Sequence, residues 1–169
     1  MTTGMYRQAI VSTIKDDPLE SVLVANRGEI AVRVIRAAKE LGLRTIAVYS
    51  ELDRNAMHVD LADEAWNIGP APAGESYLNI EKLLEVAGSA DASAIHPGYG
   101  FLAENAGFAL AVIDAGIIWV GPSPDAIATM GDKIASRVAV AEAGVEAVPG
   151  THEQLESIEA VRAFADTHD

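Results

Sequence analysis

Ser21-Val22-Leu23-Val24-Ala25-Asn26-Arg27-Gly28-Glu29-Ile30-Ala31-Val32 is the stretch that decides the fold. Ser21 to Ala25 has no polar alternation, so it reads as a strand buried on both faces, as in parallel sheets. Ala25 to Glu29 is then a turn. From Glu29 to Leu41 apolar residues recur at helical spacing, and Gly42 stands where a helix closes. A buried strand followed at once by an amphipathic helix is the opening of a β-α-β unit.

The same alternation continues outward. Strands are expected at Thr45–Tyr49, Glu64–Ile68, Ala92–Ile95 and Ile117–Val120. Helices are expected at Arg54–Ala62, Tyr77–Ala87, Leu102–Ala115 (ending at Gly116), Asp125–Met130, Lys133–Glu142 and Glu153–Asp166. The runs Gly69 to Gly74 and Gly121 to Pro124 are loops by composition. This order predicts an α/β fold, a parallel sheet with helices on both faces. The composition changes at Val148-Pro149-Gly150-Thr151, and one helix follows before Asp169. That helix reads as the first element of a further unit. Met1 to Glu20 lacks an apolar core and holds Asp16, Asp17 and Glu20, so it reads as a loosely ordered lead-in.

Composition narrows the function. The chain has 169 residues, no cysteine and a formal net charge of −13. Disulfides, thiolate metal sites and cysteine nucleophiles are excluded, and a reducing compartment, the cytoplasm, is expected. The acidic balance argues against nucleic acid and against anionic membrane surfaces. No apolar run approaches the length of a membrane span. Eight of the basic residues lie within residues 1–54, so the surplus acids are concentrated later in the chain.

In a parallel sheet, ligands bind beyond the carboxyl ends of the strands. Three turns lie there. Ala25 to Glu29 contains Gly28 but not the G-x-G-x-x-G of a dinucleotide site, and Glu51 and Asp53 are only loose candidates for the ribose acid. His96-Pro97-Gly98-Tyr99-Gly100-Phe101 sets two glycines around a tyrosine; glycines admit a close approach and tyrosine offers a flat face with one hydroxyl. Glu104 and Asn105 are expected on the first turn of the next helix. Met130-Gly131-Asp132-Lys133 places a good N-cap before a lysine in a first helical turn, where a phosphate would satisfy both the lysine and the helix end. On the first helix Ile30, Val34, Ala37 and Leu41 are expected to form the apolar stripe, with Val32 and Ile35 adding apolar surface away from it. Glu29, Arg33, Arg36 and Glu40 share another line, spaced for Glu29–Arg33 and Arg36–Glu40 pairs. That line is either a solvated face or a subunit contact. Other chemistries lack their residues: there is no G-x-S-x-G and no Walker motif. His58, His96, His152 and His168 lack metal-ligand spacing, and the adjacent acids Asp63 and Glu64 have nothing to act on.

The strings Val22 to Arg33, Ala62-Asp63-Glu64-Ala65, Ser76-Tyr77-Leu78, Ala94 to Asn105 and Gly131-Asp132-Lys133 resemble the N-terminal domain of biotin carboxylase, in family order from about Val22 to Thr151. Ile118-Trp119-Val120-Gly121-Pro122-Ser123-Pro124 is most similar to the α-subunits of bacterial acyl-CoA carboxylases; pyruvate carboxylase is less close. The resemblance implies the pre-ATP-grasp, Rossmann-like fold over 21–150, with 151–169 leading toward an ATP-grasp domain. It implies a ligase that uses ATP, magnesium (or manganese) and bicarbonate to carboxylate biotin on a carrier domain, in partnership with a carboxyltransferase β-subunit. Lys133 would contact the nucleotide phosphates. Tyr99 and Gly100 would line the biotin pocket with Glu104 and Asn105 nearby, and Arg33, Arg36 and Glu40 would fall in a homodimer interface. The metal-binding acids would lie further on, so no catalytic residue and no metal ligand is assigned to this chain, and residues 1–169 alone are expected to be inactive. The alternative is a non-catalytic module that dimerises with, or regulates, a full-length subunit.

Overall fold

The structure is a computed structural model, which describes residues 19–145 and 155–167. The lead-in before Leu19, the break at 148–151, His152 and His168 lie outside those residues. Two compact units divide the chain, Met1–Pro122 and Ser123–Asp169.

The first unit is built on five parallel strands: β1 (Ser21–Val24), β2 (Arg44–Ser50), β3 (Glu64–Gly69), β4 (Ala94–His96) and β5 (Ile118–Trp119). Their order is β3-β2-β1-β4-β5, so the chain winds one way from β1 and then returns to the other side of it. Residues Ser21 to Val24 pair with Arg44 to Ala47 on one side, and Val22 to Val24 with Ala94 to His96 on the other. Both edges of β1 are thereby paired, and its four residues are all buried.

The strand period of two divides the core. Leu23, Ile46, Val48 and Ile95 point to one face. There they meet α3 (Ile80–Ser89) and α4 (Ala106–Asp114) through Leu83, Val86, Phe108 and Val112. Val24 and Ala47 point to the other face, against Ala31 and Ile35 of α1 (Gly28–Glu40), with Leu61 of α2 (Met57–Leu61) beside them.

The expected stripe on α1 is corrected. Ala31, Val32, Ile35 and Ala38 are buried, Ile30 and Val34 lie at the margin, Ala37 is exposed and Leu41 is 77% exposed. The helix packs on the sheet through Ala31, Ile35 and Ala38, so the line of Ile30, Val34, Ala37 and Leu41 is not the buried one. Gly42, at φ 76°, closes α1 as expected, and Gly116, at φ 75°, follows α4. Four helices start later than expected, at Met57, Ile80, Ala106 and Ile158 rather than Arg54, Tyr77, Leu102 and Glu153. Asn79 and Asn105 cap α3 and α4 by accepting from the amides of Lys82 (3.0 Å) and Phe108 (2.9 Å). Tyr77 and Leu102 therefore precede their helices as buried anchors.

The second unit holds α5 (Pro124–Gly131), α6 (Lys133–Glu142) and α7 (Ile158–Thr167). Ser123 caps α5 and Asp132 caps α6.

Candidate functional site at the carboxyl ends of β1 and β4

The winding direction reverses between β1 and β4, the switch point at which open α/β sheets bind ligands. Asn26 fastens together the loops that leave these two strands. Its buried amide nitrogen donates to the carbonyls of Pro97 (2.8 Å) and Tyr99 (3.0 Å), and its Oδ1 accepts from the Arg27 amide (2.9 Å). The second loop turns through Gly98 at φ 69° and Gly100 at φ 68°. A Cβ at Gly98 would stand 2.7 Å from Ile30 Cγ2 and 2.8 Å from Asn26 Nδ2, so a glycine is required there on two grounds. Gly100 faces open space, and only its conformation demands glycine.

Tyr99, between them, is 55% exposed, and its hydroxyl donates to Glu29 on the first turn of α1. That bond holds the tyrosine proton and raises its pKa. Glu29 is thus used by the loop rather than by Arg33. Among the described residues neither the Glu29–Arg33 nor the Arg36–Glu40 pair forms, and Arg33, Arg36 and Glu40 all face outward. His96 stands at the start of the loop, half-buried. Its Nδ1 accepts from the Gly98 amide (2.9 Å), and burial lowers its pKa, which keeps the ring neutral.

Phe101 carries the turn into Leu102 at φ 45°, a left-handed conformation that costs a non-glycine residue about 1–2 kcal/mol. Its ring stacks on Tyr77, with centroids 5.3 Å apart and planes 3° from parallel. The Arg27 guanidinium lies 5.4 Å from the Tyr77 ring and 5.5 Å from the Phe101 ring. Behind them is Asp53, placed beyond the carboxyl end of β2 by a short 3-10 turn that follows that strand directly. Its Oδ2 accepts from Tyr77 Oη (2.7 Å), Ser50 Oγ (2.9 Å) and Arg27 Nη1 (3.3 Å). Burial pushes the Asp53 pKa up, but these hydrogen bonds outweigh it and hold the carboxyl below its ordinary value. Burial, and then the bond to Asp53, push Tyr77 up to about 12. Asp53 is therefore committed to structure and is not available as a ribose acid.

Glu104 and Asn105 depart from expectation. Both precede α4 rather than forming its first turn; Glu104 is exposed in the turn, and the Oδ1 of Asn105 is spent on the cap. Lys133 is the first residue of α6, as expected. The Oδ1 of Asp132 already accepts from the amides of Ile134 (3.0 Å) and Ala135 (2.6 Å), so the helix end offers fewer free donors to an anion than its sequence implies. Asp63 and Glu64 are structural. Asp63 takes Lys39 Nζ (2.6 Å), the Thr45 amide (2.8 Å) and Thr45 Oγ1 (2.7 Å), while Glu64 pairs with Arg44.

Among the described residues no three His, Asp or Glu side chains converge as metal ligands. No helix among them is long and apolar enough to cross a membrane. Sequence reading located the loop but missed Asn26, Arg27, Glu29, Asp53, Tyr77 and Phe101 as its supports. The one signal available was an aromatic and an acid just beyond strand ends.

A family model described as the N-terminal domain of biotin carboxylase matches residues 18–127. The biotin-dependent acyl-coenzyme A carboxylase alpha3 subunit of Mycobacterium leprae is 55% identical over 150 residues, covering 89% of this chain and 25% of that protein. The mitochondrial methylcrotonoyl-CoA carboxylase subunit alpha of Mus musculus is 54% identical over 147 residues, covering 87% of this chain and 20% of that protein. Among solved structures, the biotin carboxylase domain dimer of Hydrogenobacter thermophilus 2-oxoglutarate carboxylase, in complex with MgADP, ADP and bicarbonate, superposes with a TM-score of 0.80 at 49% identity. It covers 88% of this chain and 32% of that one. The chain spans no more than about a third of any of these three proteins. The match over the sheet and both of its switch-point loops places the chain in the biotin carboxylase N-terminal domain family.

Proposed function

We propose that this chain is the N-terminal domain of the biotin carboxylase component of a biotin-dependent acyl-CoA carboxylase. The complete enzyme uses ATP and bicarbonate to carboxylate biotin on its carrier domain, and a carboxyltransferase subunit then passes the carboxyl group on. The observation that carries this reading is the Gly98–Gly100 turn, pinned by Asn26 at the topological switch point in a chain whose relatives are carboxylase subunits.

In this reading 21–150 is one wall of the active site and 151–169 leads toward an ATP-grasp domain. Tyr99 and Gly100 meet the biotin ring system. Gly100 leaves the backbone open to it, and the Tyr99 ring is held in place through Glu29. Glu104 and Asn105 border that pocket. Lys133 contacts the nucleotide phosphates as a point charge. Magnesium, or manganese, supplies charge neutralisation at the phosphates when bound, on acids supplied from outside the described residues. The exposed line of Arg33, Arg36 and Glu40 is the homodimer contact, and the enzyme works in the cytoplasm.

The test is ATP cleavage by the complete polypeptide with bicarbonate and free biotin. The complete wild-type chain is expected to be active and residues 1–169 alone inactive. Lys133→Ala should raise the KM for ATP or cut the rate by about a hundredfold, as removal of one charged clamp does. Bicarbonate-dependent ATP cleavage by residues 1–169, or an inactive complete chain, would overturn the reading.

A further inference from the structure

The loop that carries Tyr99 and Gly100 holds its shape against a cost, since Phe101 sits at φ 45°. Within the loop, the Ala103 amide donates to the Gly100 carbonyl at 2.9 Å and closes a turn across Phe101. The Phe101 ring is packed from outside the loop by the Tyr77 ring, from the segment before α3, and by the Arg27 guanidinium, from the start of α1; Asp53, from the turn after β2, stands behind both. These groups are joined. Asp53 Oδ2 accepts from both Arg27 and Tyr77, and Tyr77 Oη in turn accepts from the amide of Ser50 at 3.1 Å. One carboxylate oxygen thus fixes both the cation and the ring that Phe101 packs on.

We infer that Asp53, Arg27 and Tyr77 are positioning residues for the biotin turn: they set the Phe101 ring, and through its backbone they hold Tyr99 and Gly100 in the conformation that accepts the biotin ring system. The inference rests on the proposed carboxylase reading. No member of the group touches substrate. Asn26 anchors the turn from one end, through the carbonyls of Pro97 and Tyr99, and the Phe101 stack anchors it from the other. The rigid two-point hold is what allows a turn with two left-handed glycines to keep a single shape.

Steady-state kinetics on the complete enzyme, with D-biotin as acceptor, test this. Phe101→Leu and Arg27→Met should raise the KM for biotin about tenfold to a hundredfold, the penalty of a slightly misplaced group, while the KM for ATP stays within about twofold. Arg27→Lys, which keeps the charge beside Asp53 but not the flat stack, should fall between wild type and Arg27→Met. Hydrogen exchange at the Ala103 and Asn105 amides, bonded to the Gly100 and Leu102 carbonyls, should quicken in the same variants. Val22→Ala, at the opposite end of β1, lowers stability without touching the turn and should leave the KM for biotin unchanged. An unchanged KM for biotin in the Phe101 and Arg27 variants overturns the inference alone. So does an equal rise in Val22→Ala, or a parallel rise in both KM values. If Phe101→Leu does not fold, the two Arg27 variants decide. A wild-type enzyme that cannot carboxylate biotin overturns the carboxylase reading itself and the inference with it.

Discussion

Gly98 and Gly100 share a φ but not a neighbourhood, and the two should respond differently to the same methyl group. At Gly98 the added carbon meets Ile30 and Asn26 within 2.8 Å and also suffers the left-handed conformation. Gly98→Ala should therefore cost about 2–3 kcal/mol, overpacking added to backbone strain. Gly100→Ala suffers only the conformation and should cost about 1 kcal/mol. Denaturant unfolding followed by tryptophan fluorescence measures both, because Trp66 and Trp119 belong to the sheet unit; equal costs would show that the Ile30 contact relaxes freely. His58 is the other telling residue. It is fully buried, one ring nitrogen faces the Val48 carbonyl at 3.2 Å, and Nδ1 has no partner among the described groups. Burial lowers its pKa below 6.5. Below that pH the unfolded chain takes up a proton that the folded chain refuses, so stability should fall as the pH drops from 7 to 5. His58→Gln should flatten that slope in melting curves across the range. An unaltered slope would assign the effect elsewhere, with half-buried His96 the next candidate.

At the scale of elements, capping and clamping decide where helices start and how they lie. Asn79→Ala and Asn105→Ala each remove one accepted amide bond and should cost about 1 kcal/mol. Measured unfolding free energies within a few tenths of wild type would mean water replaces the cap. The end of α1 is tied to β2 and β3 through Asp63, which receives Lys39 and two donors of Thr45. First the Lys39 bond and then those of Thr45 lower the Asp63 pKa from 3.8 to about 2. The clamp therefore contributes fully above about pH 4, the unfolded value, and is lost as the pH falls toward 2. Asp63→Asn should remove that part of the acid limb of a stability–pH curve. The effect is small, because the Asp63 side chain is 44% exposed and solvent screens it. An identical acid limb in wild type and variant would show that the clamp carries no charge-dependent stability.

For the whole molecule, the charge distribution and α1 belong together. The net charge of −13 disfavours self-association, yet α1 turns Arg33, Arg36 and Leu41 outward with no ion-pair partner for either arginine among the described residues. If this face is the proposed homodimer contact, a second copy would offer Glu40 to these arginines. Arg36→Glu in the complete chain should weaken dimerisation at least about tenfold by sedimentation velocity, since reversing a charge at a contact replaces attraction with repulsion. An unchanged dissociation constant would remove this face from the interface.

The alternation of unbroken apolar runs with amphipathic helices determined the parallel α/β architecture, because a strand buried on both faces can hold no polar alternation. The glycine pattern of His96 to Gly100 located the loop of interest, because few other residues tolerate those backbone angles. The Lys133 helix start was equally legible from Asp132. What only the tertiary structure decided was which groups meet. The strand order set β1 beside β4 and so made Asn26 a tie between loops 71 and 73 residues apart. The face that α1 buries, through Ala31, Ile35 and Ala38, was fixed by packing on Val24, Ala47, Val22 and Ala94 of the sheet. Glu29 found Tyr99 rather than Arg33, and Asp53 gathered Ser50, Arg27 and Tyr77. Helical and strand periods are local and can be counted along a chain. Long-range side-chain bonds depend on the order in which strands pack, and spacing within one strand or helix does not encode that order.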